Sequence, residues 1–336
     1  MNTSTLTSLT DAEIRQLAKQ NAAEGKLLNP MMDIVFKTLF SGGDDDSRTA
    51  LRSLLSACTG REVTDVKVLN SEIQPEHLDA KTVRIDMHLS FNDGQMAGME
   101  MQFDPKGDNQ KSRAAFGAAR MLSGQGRGKK YRELKRVYQL FFVNGVLFPL
   151  NDRVPRHYFL MEEQDHDILT DVMEVIFYEL PKLEAKVRAY REGSKDLQGF
   201  SEEEKWCIYL KYRHEAEAVG LIDELCRKET GIMRAETVLK RVSRDEEQWA
   251  RQLFREKAAM DYRSGMGAAR DEGLARGITI GRKDGVVIGY NQARLEYEAK
   301  AEQNKLEIAR KMKAKGWPLP EIAEDTGLSP EIIAKL

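Results

Sequence analysis

Cysteine, aromatic residues and net charge are all scarce in this sequence. Its three cysteines, Cys58, Cys207 and Cys226, are odd in number and too scattered for a metal-binding spacing. They exclude a disulfide-built scaffold and fit the reduced thiols of a cytoplasm. Aromatics at 7% exclude a chain that is dense core throughout. Lys and Arg number 52 against 54 Asp and Glu, which excludes a wholly basic nucleic-acid coat. Any nucleic-acid surface must then be a local patch. No apolar run reaches the roughly 18 residues of a membrane span. The longest candidate, 137–150, is interrupted by Gln139, Asn144 and Pro149. The opening MNTSTLTSLT is polar and lacks the basic-then-apolar order of a secretion signal. Together these absences set the expectation of a cytoplasmic protein with no membrane partner. What remains is 336 residues, 41% hydrophobic and 32% charged, enough for one or two cores plus appendages.

Residues 1–26 read as a polar lead-in ending in a short helix. Asn29 and Pro30 suit a helix cap and first turn, so a helix is expected over MMDIVFKTLF, ending at Ser41, Gly42 and Gly43. A second helix is expected over 47–58. From 83 to 91 apolar and polar residues alternate, with Val83, Ile85, Met87, Leu89 and Phe91 on one face and Arg84, Asp86, His88 and Ser90 on the other. A turn at Asn92, Asp93 and Gly94 leads into a second alternating strand, 95–103. An Ala- and Arg-rich helix follows over 109–123. The run VYQLFFVNGVLF, rich in β-branched and aromatic residues, then suits a strand covered on both faces. Strands interleaved with helices make 27–180 an α/β domain, and 181–263 reads as a helical region. Over 264–300, Gly273, Gly277, Gly281, Gly285 and Gly289 recur every four residues. In a helix these five glycines cost about 5 kcal/mol against alanine. Close approach of a second helix would offset that, in a homo-oligomer; the alternative is a flexible linker. Residues 301–336 have a helix-turn-helix-like layout. Its last helix carries only Lys335 as a cation, which favours a small packing module over a sequence reader.

The chemistry concentrates in the hairpin. A three-residue loop pairs Phe91 with Gln95 and sets Asp86 opposite Glu100; a two-residue loop would set Asp86 opposite Met101, among methionines. Alternation on both strands requires the first register. Two facing carboxylates repel unless a cation lies between them. Mg2+, with oxygen ligands from one or two carboxylates plus water and phosphate, suits the pair. Gln102, on the same face, can donate a hydrogen bond but supplies no charge. The alternative is a polar hairpin face turned to solvent. Beside it, residues 106–136 hold ten Lys or Arg against two acids, whereas 157–181 hold seven acids and no Lys or Arg. Such a basic patch would bind a duplex in a salt-dependent manner.

These residues resemble the PD-(D/E)XK nuclease superfamily, and within it the recombination-promoting nuclease or putative transposase family of bacteria. The resemblance rests on an ordered set: D-x-x-F-K (Asp33, Phe36, Lys37), then Asp86, then E-x-Q (Glu100, Gln102), an Arg-bearing helix and a strand. The segments KTVRIDMHLSFNDGQMAGMEMQF, GKKYRELKRVYQLFFVNGVLF, VIFYELPKL and EIAEDTGLSPEIIAKL match the family's successive blocks. It implies a restriction-endonuclease-like α/β core, a central mixed sheet flanked by helices, with an all-α C-terminal extension. It also implies an endonuclease hydrolysing DNA phosphodiesters with Mg2+ or Mn2+, linked to recombination or mobile elements. Asp86 and Glu100 match the metal ligands, and Gln102 stands where the superfamily usually has lysine. Asp33 and Lys37 match the first-helix motif, although a first-turn Asp also suits the helix dipole. Arg113 matches a phosphate-contact position, with Lys111, Arg120, Lys129 and Lys130 as further DNA-binding candidates. The alternative is a catalytically weak or inactive DNA-binding assembly protein on the same fold.

Overall fold

The computed structural model describes residues 6–69, 72–73, 83–105, 109–125 and 130–336, with the main chain alone at 72–73, 83–84, 263, 264 and 268. A six-stranded mixed sheet is built from β1 (Val66–Leu69), β2 (Met87–Phe91), β3 (Gln95–Gln102), β4 (Val137–Val143), β5 (Arg156–Met161) and β6 (Ile168–Glu179). Their order across the sheet is β1-β2-β3-β4-β6-β5. The first three strands are antiparallel neighbours, β3, β4 and β6 run parallel, and β5 closes the far edge antiparallel to β6. The β2–β3 turn has the expected register, Phe91 opposite Gln95, and Gly94 takes the left-handed φ of 88° that the loop needs.

Helices α2 (Asp33–Ser41) and α3 (Asp45–Thr59) lie on one side of the sheet and α4 (Gln110–Ser123) on the other. Phe36 of α2 meets Phe142 at 5.8 Å, and Phe142 stacks on Tyr178 at 4.7 Å. Across the sheet, Ala114 and Ala118 of α4 pack with Phe141, Val143, Val175 and Phe177. All seven residues of β4 are therefore buried, Gln139 included, as its largely apolar run suggests. The Asp triplet acts locally: Asp44 caps α3 by accepting from the Ser47 N–H at 3.0 Å.

Three details depart from the sequence reading. Helix α2 begins at Asp33, because Asn29 forms a turn of its own, accepting the Met31 N–H on its side chain and the Met32 N–H on its carbonyl. The strand expected from 83 is broken. Residues 83–84 pair with 72–73 in a separate ribbon, and Ile85 packs with Met121 and Val137 under α4, away from Met87 and Leu89. Residues 6–26 and 184–258 are also part of the sheet-bearing unit, Met1–Ala258, rather than regions of their own. Helix α1 (Asp11–Ala23) buries Ile14 and Ala18. The main chain of Leu28 and Asn29 donates to Ser243 and Gln252. Between α1 and the C-terminal helices come α5 (Glu184–Arg191), α6 (Glu202–Tyr212), α7 (Val219–Lys228) and α8 (Thr230–Val242). Trp206 of α6 packs on Phe40 at 5.8 Å.

The second unit is Ala259–Leu336. It holds most of α9 (Glu246–Ala314), whose glycine-repeat stretch is helical throughout, together with α10 (Leu319–Thr326) and α11 (Pro330–Lys335). Ile322, Leu328 and Ile333 of this tail pack on Ala309, and the Lys313 ammonium donates to the carbonyls of Ile333 and Ala334. Among the described residues no helix is long and apolar enough to cross a membrane.

Helix α8 sits close to α3 because it has no side chain at Gly231, where an added Cβ would lie 2.2 Å from Ser53 Cβ. Gly231→Ala should therefore destabilise the fold by about 1–3 kcal/mol, read as a lowered thermal midpoint. Ser53→Gly in the same chain should recover most of the loss.

Candidate functional site

The site forms where β2 breaks away from β3. Within β3, Met96 donates its N–H to the Arg136 carbonyl on the β4 side, so the N–H of Met101 points towards β2. The chain has bent away there, and the Asp86 carboxylate takes the vacated partner's role, accepting from Met101 N–H at 3.2 Å. Its other oxygen, Oδ1, lies 3.0 Å from Lys37 Nζ on α2. Asp86 is therefore held by main chain and by a cation together.

Glu100 precedes Met101 and points to the opposite side, beneath α4, where it is 2% exposed. Arg113 reaches it from α4, with Nη2 2.7 Å from Oε2, and Gln102 donates to the same oxygen at 3.3 Å. Burial pushes the Glu100 carboxyl up to about 8, with Arg113 and Lys37 opposing the shift and the negative charge of Asp86 adding to it. The two carboxylates thus sense each other, and each has a cation from a different layer of the fold. The alternative of a hairpin face turned to solvent fails for Glu100, which is buried.

Not every residue expected at the site meets there. Asp33, one turn before Lys37, pairs with Arg255 of α9 at 2.5 Å, which ties helix to helix. No sequence signal announced that partner, 222 residues away. Lys37 of the same motif does reach Asp86. Lys111 lies over the Phe148 ring at 4.4 Å. Arg120 is half-buried on α4, and Lys130 is exposed at the start of the turn Tyr131–Glu133. Lys129 lies outside the described residues. The basic run is partly neutralised, since Arg136 pairs with Glu174 at 2.6 Å and with Asp171 at 3.4 Å.

Among the described residues no group of three His, Cys, Asp or Glu side chains comes together. A pair of carboxylates is nevertheless a fitting donor set for Mg2+, which keeps water and phosphate oxygens in its remaining positions. The buried Glu100, strained by a neighbouring negative charge, is the group such an ion would relieve.

A family model described as PD-(D/E)XK nuclease family transposase matches residues 30–269, which contain every residue named at this site. Comparison with curated proteins and with solved structures returned no match.

The raised Glu100 carboxyl makes apo stability depend on pH. The folded chain binds this proton below about 8 and the unfolded chain only below about 4.5. Its contribution is therefore fully present below about 4.5 and is lost as pH rises to about 8. Denaturation of metal-free Glu100→Gln should lack that part of the decline, whereas a slope equal to wild type would contradict the burial of this carboxyl.

Proposed function

Because the chain belongs to the PD-(D/E)XK nuclease family transposases, we propose that it is a metal-dependent endonuclease hydrolysing DNA phosphodiester bonds in recombination or mobile-element biology. The observation that carries this reading is the Asp86–Glu100 pair at the break between β2 and β3, with one flanking cation on each. Asp86 and Glu100 would hold Mg2+, or Mn2+ in its place. A bound divalent ion supplies a Lewis acid for a phosphoryl oxygen and lowers the pKa of an attacking water.

The remaining groups follow from position. Lys37 carries the positive charge that Gln102 lacks, and beside Asp86 it can stabilise charge developing on the phosphate. Gln102 orients Glu100 through its amide. Arg113 pairs with Glu100 in the free protein; were that carboxylate to hold a metal, the guanidinium would be available for a phosphate oxygen. Lys111, Arg120, Lys129 and Lys130 extend the basic surface for DNA. Asp33 serves the fold through Arg255 rather than the chemistry. The proposed setting is the cytoplasm.

Purified protein with plasmid and Mg2+ or Mn2+ should nick DNA, and Asp86→Ala and Glu100→Ala should abolish nicking while the fold survives. Lys37→Ala should slow it about 100-fold, with part of the rate returned by Gln102→Lys. Salt-sensitive DNA binding without cleavage in either metal would instead mark a DNA-binding assembly protein.

A homo-oligomer through the glycine-repeat helix is part of the same proposal. A Cβ added at any of its five glycines meets nothing within 4 Å among the described residues, so their helix cost is not offset within the chain. Leu274, Ile278, Val286 and Tyr290 lie exposed in the adjoining row. Light scattering should show Gly277→Leu with Gly281→Leu dissociating the assembly; an unchanged mass would end the idea.

A further inference from the structure

The loop after β4 is held by buried charge. Glu179, at the end of β6, is fully buried and accepts from the N–H groups of Leu147 at 2.5 Å and Phe148 at 2.9 Å. Lys182 pairs with the other Glu179 oxygen at 2.6 Å and donates to the carbonyls of Phe148 and Asn151, each at 2.6 Å. A buried ion pair repays its desolvation only with good geometry and added hydrogen bonds. Here those bonds satisfy four main-chain groups of one loop. The loop also begins beside the candidate site, where the Asn144 N–H donates to the Gln102 carbonyl at 2.9 Å.

The pinned loop presents Phe148, and two cations converge on its ring. Lys111 Nζ stands 4.4 Å from the ring centroid and the Arg156 guanidinium carbon 4.7 Å. Lys111 is two residues before Arg113 on α4. Among the described residues neither cation has a carboxylate partner. Arg156 donates to the Tyr158 hydroxyl at 3.0 Å and to Asn151 Oδ1 at 2.9 Å, both neutral. In contrast, Lys37, Arg113 and Arg136 each sit on a carboxylate. Two like charges on one ring repel, and cation–π attraction at exposed sites returns only about 0.5–1 kcal/mol each. An anion bound at either cation would weaken the repulsion.

We infer that Lys111 and Arg156, both held at the Phe148 ring, form a second phosphate-binding surface, which contacts backbone phosphates of the DNA whose cleavage is proposed at Asp86 and Glu100. This rests on the nuclease reading and deepens it. The Glu179–Lys182 pair fixes the loop that carries the ring. DNA would then run from the carboxylates across the β4–β5 loop, guided by an arginine outside the basic run of 106–136.

Each phosphate contact releases counterions and steepens the salt dependence of binding by about one unit of log–log slope. The test is fluorescence anisotropy of a labelled duplex in EDTA, where cleavage is stopped, over a series of salt concentrations. Arg156→Gln and Lys111→Gln should each flatten the slope by about one and weaken binding about tenfold. Phe148→Leu should weaken binding while keeping most of the slope. Wild-type binding with unchanged slopes in both cation variants would overturn this site alone. Absence of wild-type binding would overturn this site as well, while plasmid nicking in Mg2+ decides the nuclease reading separately.

Discussion

The site depends on one unmade main-chain hydrogen bond. Where the chain leaves β2 at Ile85 and Asp86, the N–H of Met101 on β3 faces a strand that is no longer there, and the Asp86 carboxylate takes it up. A buried N–H without a partner is costly, so the break and the aspartate belong together. The bond fixes one carboxylate beside the strand position that precedes Met101, which is Glu100. A second carboxylate is thereby placed in a water-poor setting next to the first.

Charge balance explains why two helices are needed. Asp86 is served by Lys37 from the layer containing α2, and Glu100 by Arg113 from α4 on the opposite face. Each helix is seated by apolar contacts that aim its cation: Phe36 and Phe40 hold α2 against Phe142 and Trp206, and Ala114 and Ala118 let α4 lie close to the sheet. The site is thus a meeting point of both layers at the edge of β3. Burial raises the Glu100 carboxyl, and the charge of Asp86 adds to it.

Local rules made much of this legible. Alternation and loop length together determine the hairpin register, and a largely apolar run identifies β4 as a strand covered on both faces. The ordered motifs carried the family resemblance, which the match over 30–269 bears out. The break at Ile85 was hidden, because Ile85 fits the alternation perfectly and only burial under α4 pulls it across the sheet. Partners far apart in sequence were hidden as well: Asp33 with Arg255, Phe40 with Trp206, and Gly231 with Ser53. These contacts join the first helices to 184–258, which in sequence looks like a region apart. Nothing in a periodic pattern encodes such pairings, since either member is an ordinary helix residue alone.

Asp86 and Glu100 are proposed to grip one divalent ion together, and Mn2+ binding measured by isothermal titration calorimetry decides whether they do. One Mn2+ per chain is expected for the wild type at pH 8, with the heat of binding lost in both Asp86→Asn and Glu100→Gln. Binding that survives unchanged in either variant would contradict the shared grip.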